Sequence, residues 1–125
     1  MKKGDLFKIK NNWIIYEVTY VDKEYFTFKQ AFKEESMITT FNIYAKIKVL
    51  NNKNLYKLAT EGINSSHHHE IIQQYNLCKH LGIKSIIRFM YTEEEVKEMC
   101  KKSYLESYKV IPLKFDDWFE DNKKK

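Results

Sequence analysis

Lysines interleaved with tyrosines are the residues of this chain best suited to chemistry. Lys8, Lys10, Lys29, Lys46 and Lys48 fall in the same alternating stretch as Tyr25 and Tyr44. Ammonium groups neutralise phosphates and aromatic rings stack on bases, so the two gathered on one surface would suit a nucleic acid. Of the 22 Lys and Arg residues only Arg88 is an arginine. Bidentate reading of guanine edges or carboxylates is therefore nearly absent, and phosphate contact falls to lysine point charges. The solvated face of any lysine-rich antiparallel sheet carries the same pattern, so where the fold puts these residues decides between the two readings.

A second set is His67, His68 and His69, three in a row. Helical residues turn by about 100° per step, so three consecutive rings cannot share a face. No His pair at four-residue spacing and no H-E-x-x-H occurs, so a metal site is not expected. The run sits at an expected helix start, where the dipole disfavours an imidazolium. Neutral rings there could contact an anion. Arg88, alone in an apolar run, either joins them or is a buried charge needing a partner such as Glu70, Glu98, Asp116 or Asp117. Together these residues make the alternative of a small anionic-nucleotide binder. A third set, Phe115, Trp118 and Phe119 among Asp116, Asp117, Glu120 and Asp121, reads as an aromatic patch for a protein partner. That patch would suit an inhibitor of a host enzyme or a homodimer.

Signatures of catalysis are weak. Cys78 and His80 are two apart and point about 200° away from each other on a helix, so they form no dyad. Glu95-Val96-Lys97 spells part of a nuclease site but falls on a capped helix. Gly4, Gly62 and Gly82 are too scattered for a phosphate loop, and no G-x-S-x-G occurs. No catalytic residue, metal or cofactor is expected, and the chain reads as a small non-enzymatic binding or regulatory protein.

The elements that must position these residues follow from a change of period near residue 51. Before it, apolar residues alternate; after it, they recur mostly at helical spacing. Strands are expected over Leu6–Lys10, Trp13–Val21, Glu24–Phe32 and Met37–Leu50. Their turns, Asn11-Asn12, Asp22-Lys23 and Lys33–Ser36, are short enough for an antiparallel meander, open or curled into a small barrel. In Met37–Leu50, Phe41, Ile43, Ala45, Ile47 and Val49 alternate, and with Phe26 and Phe28 they face the core. Lys8, Lys10, Tyr25, Thr27, Lys29, Tyr44, Lys46 and Lys48 then face outward with Glu17 and Thr19.

Helices are expected over Leu55–Glu61, His67–Leu81 and Thr92–Ser103. The last carries a capping box in Thr92 and Glu95. Ile83–Tyr91 and Ser107–Leu113 read as two further strands, and Phe115–Asn122 as a terminal turn or short helix. The fold class is α+β: a meander of about four strands, two to three helices and one or two C-terminal strands. Length predicts a single domain, residues 1–125, with a β-rich half (1–50), a helix-rich half (51–122) and a basic tail (123–125).

Charge sharpens this division. The chain carries +5, with a pI near 9.0. Eleven lysines face seven acids in residues 1–62, so the basic character belongs to the sheet half. Cys78 and Cys100 lie at apolar helical positions and read as reduced buried thiols. Charges at Lys2, Lys3, Asp5, Lys8 and Lys10 break up any leader-like apolar run, and no stretch approaches the ~20 apolar residues of a membrane span. A cytoplasmic protein with no membrane contact is expected. The abundance of Lys, Asn and Ile would suit a phage or mobile-element accessory protein from an AT-rich genome.

Overall fold

A computed structural model describes residues 1–34, 36–83, 91–108 and 112–123, without the side chains of Pro112 and Leu113. The fold is α+β, with a five-stranded open antiparallel sheet and four α-helices among the described residues. The chain divides into two compact units, Met1–Leu55 and Tyr56–Lys125.

The first unit is the sheet. Its strands are β1 (Leu6–Lys8), β2 (Ile15–Val21), β3 (Tyr25–Gln30), β4 (Thr39–Asn42) and β5 (Lys48–Leu50). They lie in the order β4-β3-β2-β1-β5. The run expected as one long strand over Met37–Leu50 is thus two strands on opposite edges. Between them Ile43, Ala45 and Ile47 pack against the buried cluster of Phe7, Val18, Phe26 and Phe28. The alternation is real, but it belongs to a strap crossing the aromatic face, which opens with a turn in which the Ala45 N–H donates to the Asn42 carbonyl at 2.9 Å. Alternation reports where side chains of an extended chain point, whether or not its backbone is paired.

Two local devices set the faces. A bulge between Val18 and Tyr20 adds a residue to β2, so Tyr20 opposes Thr27 while Val18 opposes Phe28. Tyr20 therefore leaves the Tyr16–Val18 side and stacks near Tyr25, ring centroids 5.8 Å apart. Asn12 Oδ1 accepts the Ile14 N–H at 2.9 Å and closes the β1–β2 turn. Ile15, rather than Ile14, is fully buried.

The second unit is helical. α1 (Asn52–Glu61) begins within the first unit, because Asn51 Oδ1 accepts the Asn54 N–H and caps it three residues before the expected start. A 3₁₀ turn over Gly62–Asn64 leads to α2 (His68–Leu81), which ends at Gly82 in the left-handed region with φ 64°. α3 (Glu93–Tyr108) starts at the expected capping box: the Glu95 N–H donates to Thr92 Oγ1 and the Thr92 N–H to Glu95 Oε1. It runs five residues past Ser103, and α4 (Pro112–Asn122) follows. The strand expected over Ser107–Leu113 is therefore corrected. Ser107 and Tyr108 finish one helix, and Pro112 opens the next, where its missing N–H costs nothing. The strand expected over Ile83–Tyr91 lies almost wholly outside the described residues.

The helical core gathers Ile71, Ile72, Tyr75, Val96, Cys100, Phe115 and Phe119. Every residue from Ile71 to Cys78 is buried, including Gln73, Gln74 and Asn76, so α2 is enclosed all round rather than along one stripe. Gly62 is part of the reason. A Cβ there would overlap the side chain of the buried Gln74. Gly62→Ala should cost roughly 1–3 kcal/mol, as overpacking does, read as a lower urea midpoint. An unchanged midpoint would show that Gln74 has room to move.

Candidate nucleic-acid interface

Antiparallel pairing places the expected residues at two ends of the sheet. One end holds the last residues of β1 and β3 with the first of β2, β4 and β5. There Lys8 lies directly across from Lys48. Lys10, two residues beyond β1, and Lys46, two before β5, continue that end, and both are exposed. Lys29 lies opposite Glu17 in β2, and their charged groups are 3.9 Å apart. Lys33 follows β3 at this end as well, beside the exposed Glu34.

The tyrosines are elsewhere. Tyr25 starts β3 and lies opposite Asn42, at the far end. Tyr20 is its neighbour, and Tyr44 stands 86% exposed just after β4. Asp22 and Glu24 occupy the turn between Tyr20 and Tyr25, and the Tyr20 hydroxyl donates to Asp22 Oδ2 at 3.3 Å. The Asp22 carboxylate pushes the Tyr20 phenol up from its ordinary range. Lys8 pairs with Ile15, and five residues separate Ile15 from Tyr20 along β2, about 17 Å of strand. Lys8 and Lys48, with Lys10 beyond β1, thus make one end basic, while Tyr20 and Tyr25 lie at the other, where Lys23 sits between Asp22 and Glu24; the connection carrying Tyr44 and Lys46 crosses between the two. The continuous lysine–tyrosine surface expected from alternation is corrected to this divided one.

Of the outward face itself, Tyr25, Thr40, Asn42 and Lys48 are exposed, whereas Ile15 and Leu50 are buried. Lys8 is half-buried between Ile15 and Lys48. Two ammonium groups directly across an antiparallel pair repel one another. β5 is an edge strand, where one lysine discourages pairing with another sheet. A second on the interior strand β1 adds nothing to that protection.

Histidines at the start of α2 take three different places. His67 is exposed at the N-cap without a side-chain capping bond, and His69 is half-buried against Trp118, ring centroids 5.4 Å apart. His68 is 4% exposed. Its N–H donates to Ser103 Oγ at 2.8 Å, its Nδ1 lies 3.3 Å from the same oxygen, and Tyr104, Tyr108 and Trp118 meet its ring edge to face. Burial, reinforced by the neighbouring His69 and His67, lowers its pKa to about 4. The expectation of neutrality is met at His68 by burial rather than by the helix dipole, and a ring so enclosed cannot contact an anion in solution. Arg88 lies outside the described residues.

Phe115 and Phe119 are completely buried, and Trp118 is half-buried among Tyr104, Phe115 and the two histidines. The exposed aromatic patch expected from these three residues is corrected: an amphipathic α4 turns them into its unit's own core. Cys78 and Cys100 are free and buried. Desolvation pushes their thiols up to about 11 and about 12, so neither is a nucleophile near neutrality. Among the described residues no three His, Cys, Asp or Glu side chains are grouped to hold a metal ion. No helix among them is long and apolar enough to cross a membrane. Comparison with family models, with curated proteins and with solved structures finds no match to the chain.

His68 makes stability depend on pH in a definite direction. Its folded pKa of about 4 lies below the ordinary 6.5, so the unfolded chain binds the proton first as pH falls. The stabilisation is complete above 6.5 and is lost between there and 4. About 2 kcal/mol should go between pH 7 and pH 5, read by urea denaturation at each pH. His68→Phe should flatten that segment of the profile. A wild-type profile already flat there would contradict the buried neutral ring.

Proposed function

We propose that the sheet unit binds a single-stranded nucleic acid through its basic end, with Lys8, Lys10, Lys46 and Lys48 holding phosphates. The observation that carries this reading is the direct pairing of Lys8 with Lys48 across β1 and β5. Like charges so placed destabilise an empty sheet, and a phosphate shared between them removes the repulsion. Lysine point charges suit a backbone rather than a base edge, so affinity should be broad in sequence. The tyrosine end is not part of this surface. Phosphates would meet Asp22 and Glu24, with Lys23 between them, there.

Neutralising about four phosphates of a single strand gives a slope near −3 for log affinity against log salt. Affinity for a mixed-sequence octanucleotide should then fall about 50-fold between 50 and 200 mM salt, measured by fluorescence anisotropy. Affinity that holds steady across that range would reject lysine–phosphate contact.

Lys48→Glu separates function from stability. It replaces a repulsive cross-strand pair with an attractive one, so folding should gain roughly 0.2–1 kcal/mol. Binding should weaken, and the salt slope should lose about one unit. A variant that is stabilised yet binds as tightly as the wild type would show that the paired lysines serve some other purpose.

A further inference from the structure

At the same strand ends as Lys8 and Lys48, but on the opposite, aromatic face of the sheet, there is a cavity of about 320 Å³. Tyr16, Phe28, Gln30 and Thr39 reach it from three neighbouring strands, and Ser36 and Met37 from the β3–β4 connection. In register terms Tyr16 faces Gln30, and Phe28 faces Thr39. All four point to the aromatic face, at the end where β2 and β4 begin and β3 finishes. The strap over that face runs from Ile43 to Ile47 and packs on the cluster, and none of its residues lines the opening. The pocket is thus an uncovered part of the same aromatic surface, and it adjoins Lys29 and Lys33, which also line it.

We infer that this pocket receives one unpaired nucleobase of the bound strand, while the adjoining phosphates run along the lysines. The inference rests on the polyanion reading of the basic end and names the unit recognised there.

Three features of the pocket fit a flat heteroaromatic ring. Its size is near the lower limit of small-ligand sites, room for one base rather than two. Its aromatic wall is the half-buried Tyr16, a ring on which any base can stack, backed by the buried Phe28 edge to face with centroids 5.1 Å apart. Its polar groups retain bonding capacity. Ser36 Oγ already accepts the Gln30 N–H at 2.8 Å and keeps its own proton to give. The Tyr16 hydroxyl accepts from Asn12 Nδ2 at 3.1 Å and likewise keeps one. The Gln30 side-chain amide can both donate and accept, which a base edge requires.

The lip of the pocket is apolar and unusually exposed. Met37 is 88% exposed and its neighbour Ile38 64%. A flexible thioether beside an open aromatic pocket can fold over a ring that enters it. Lys33 at the wall favours an anionic ligand over a neutral one, the Lys29 charge being matched by Glu17. A base attached to phosphate has both parts, whether it belongs to an oligonucleotide or to a free mononucleotide.

Thr39→Trp tests the assignment. Thr39 is exposed on β4, and tryptophan is favourable in a strand, so the variant should fold while filling the cavity. Its affinity for a mixed-sequence octanucleotide should fall about tenfold with the salt slope preserved. Against the wild type, an octanucleotide of abasic units should bind about tenfold more weakly than the intact one, and Thr39→Trp should no longer distinguish the two. If Thr39→Trp and the abasic strand both match the intact pair while binding stays steeply salt-dependent, the pocket takes no base and only the phosphate reading stands. Titration with AMP and UMP, followed by amide shifts at Tyr16 and Thr39, separates the sources. Mononucleotide binding without oligonucleotide binding would keep the pocket assignment, as a free-nucleotide site, and overturn the nucleic-acid reading. Binding of neither overturns both.

Discussion

The pairing of β5 with β1 is the constraint on which the sheet unit depends. β5 could have continued β4, as its alternation invites. Instead Ile43, Ala45 and Ile47 spend their apolar surface on the cluster of Phe7, Val18, Phe26 and Phe28, and the chain comes down on the opposite edge. Burial of these side chains supplies the driving force, at roughly 25 cal/mol per Å² removed from water. One consequence is chemical: Lys48 arrives directly across from Lys8. The apolar strap thus creates the charge pair that gives one end of the sheet its character.

That end and the far end differ in kind. The basic end has lysines on both sides of the β1–β5 ladder and, on the opposite face of the sheet, an aromatic pocket with Gln30, Ser36 and Thr39 at its wall. The far end has Tyr20 and Tyr25 near each other, with Asp22 and Glu24 between them. Lys29, between the ends, is already matched by Glu17.

Much of this was legible in the sequence, and what was not has identifiable causes. Alternation located β1 to β3 and the apolar members of the strap, because side-chain direction follows from extended backbone alone. It could not say that Met37–Leu50 splits between two edges, since strand order depends on long-range pairing. Nor could it show the bulge at Val18–Tyr20, which moves Tyr20 across the sheet without changing composition. The capping box at Thr92 and the left-handed Gly82 were local signals and gave local answers. Ser107–Leu113 misled, because a proline that breaks a strand also begins a helix well. For the site, alternation set the lysines and tyrosines on one face but could not give their level along the strands: Lys8 and Lys48 lie at one end of the sheet and Tyr25 at the other. The pocket went unread because its polar wall of Gln30, Ser36 and Thr39 is unremarkable until three strands and a connection are brought together.

The most direct test of the account is a map of amide shifts as the protein is titrated with a mixed-sequence octanucleotide at 50 mM salt. The largest changes should fall at Lys8, Lys10, Lys46 and Lys48, with those of Tyr16 and Thr39 next in size. Changes centred on Tyr20, Asp22 and Tyr25, or confined to the helical unit, would contradict it.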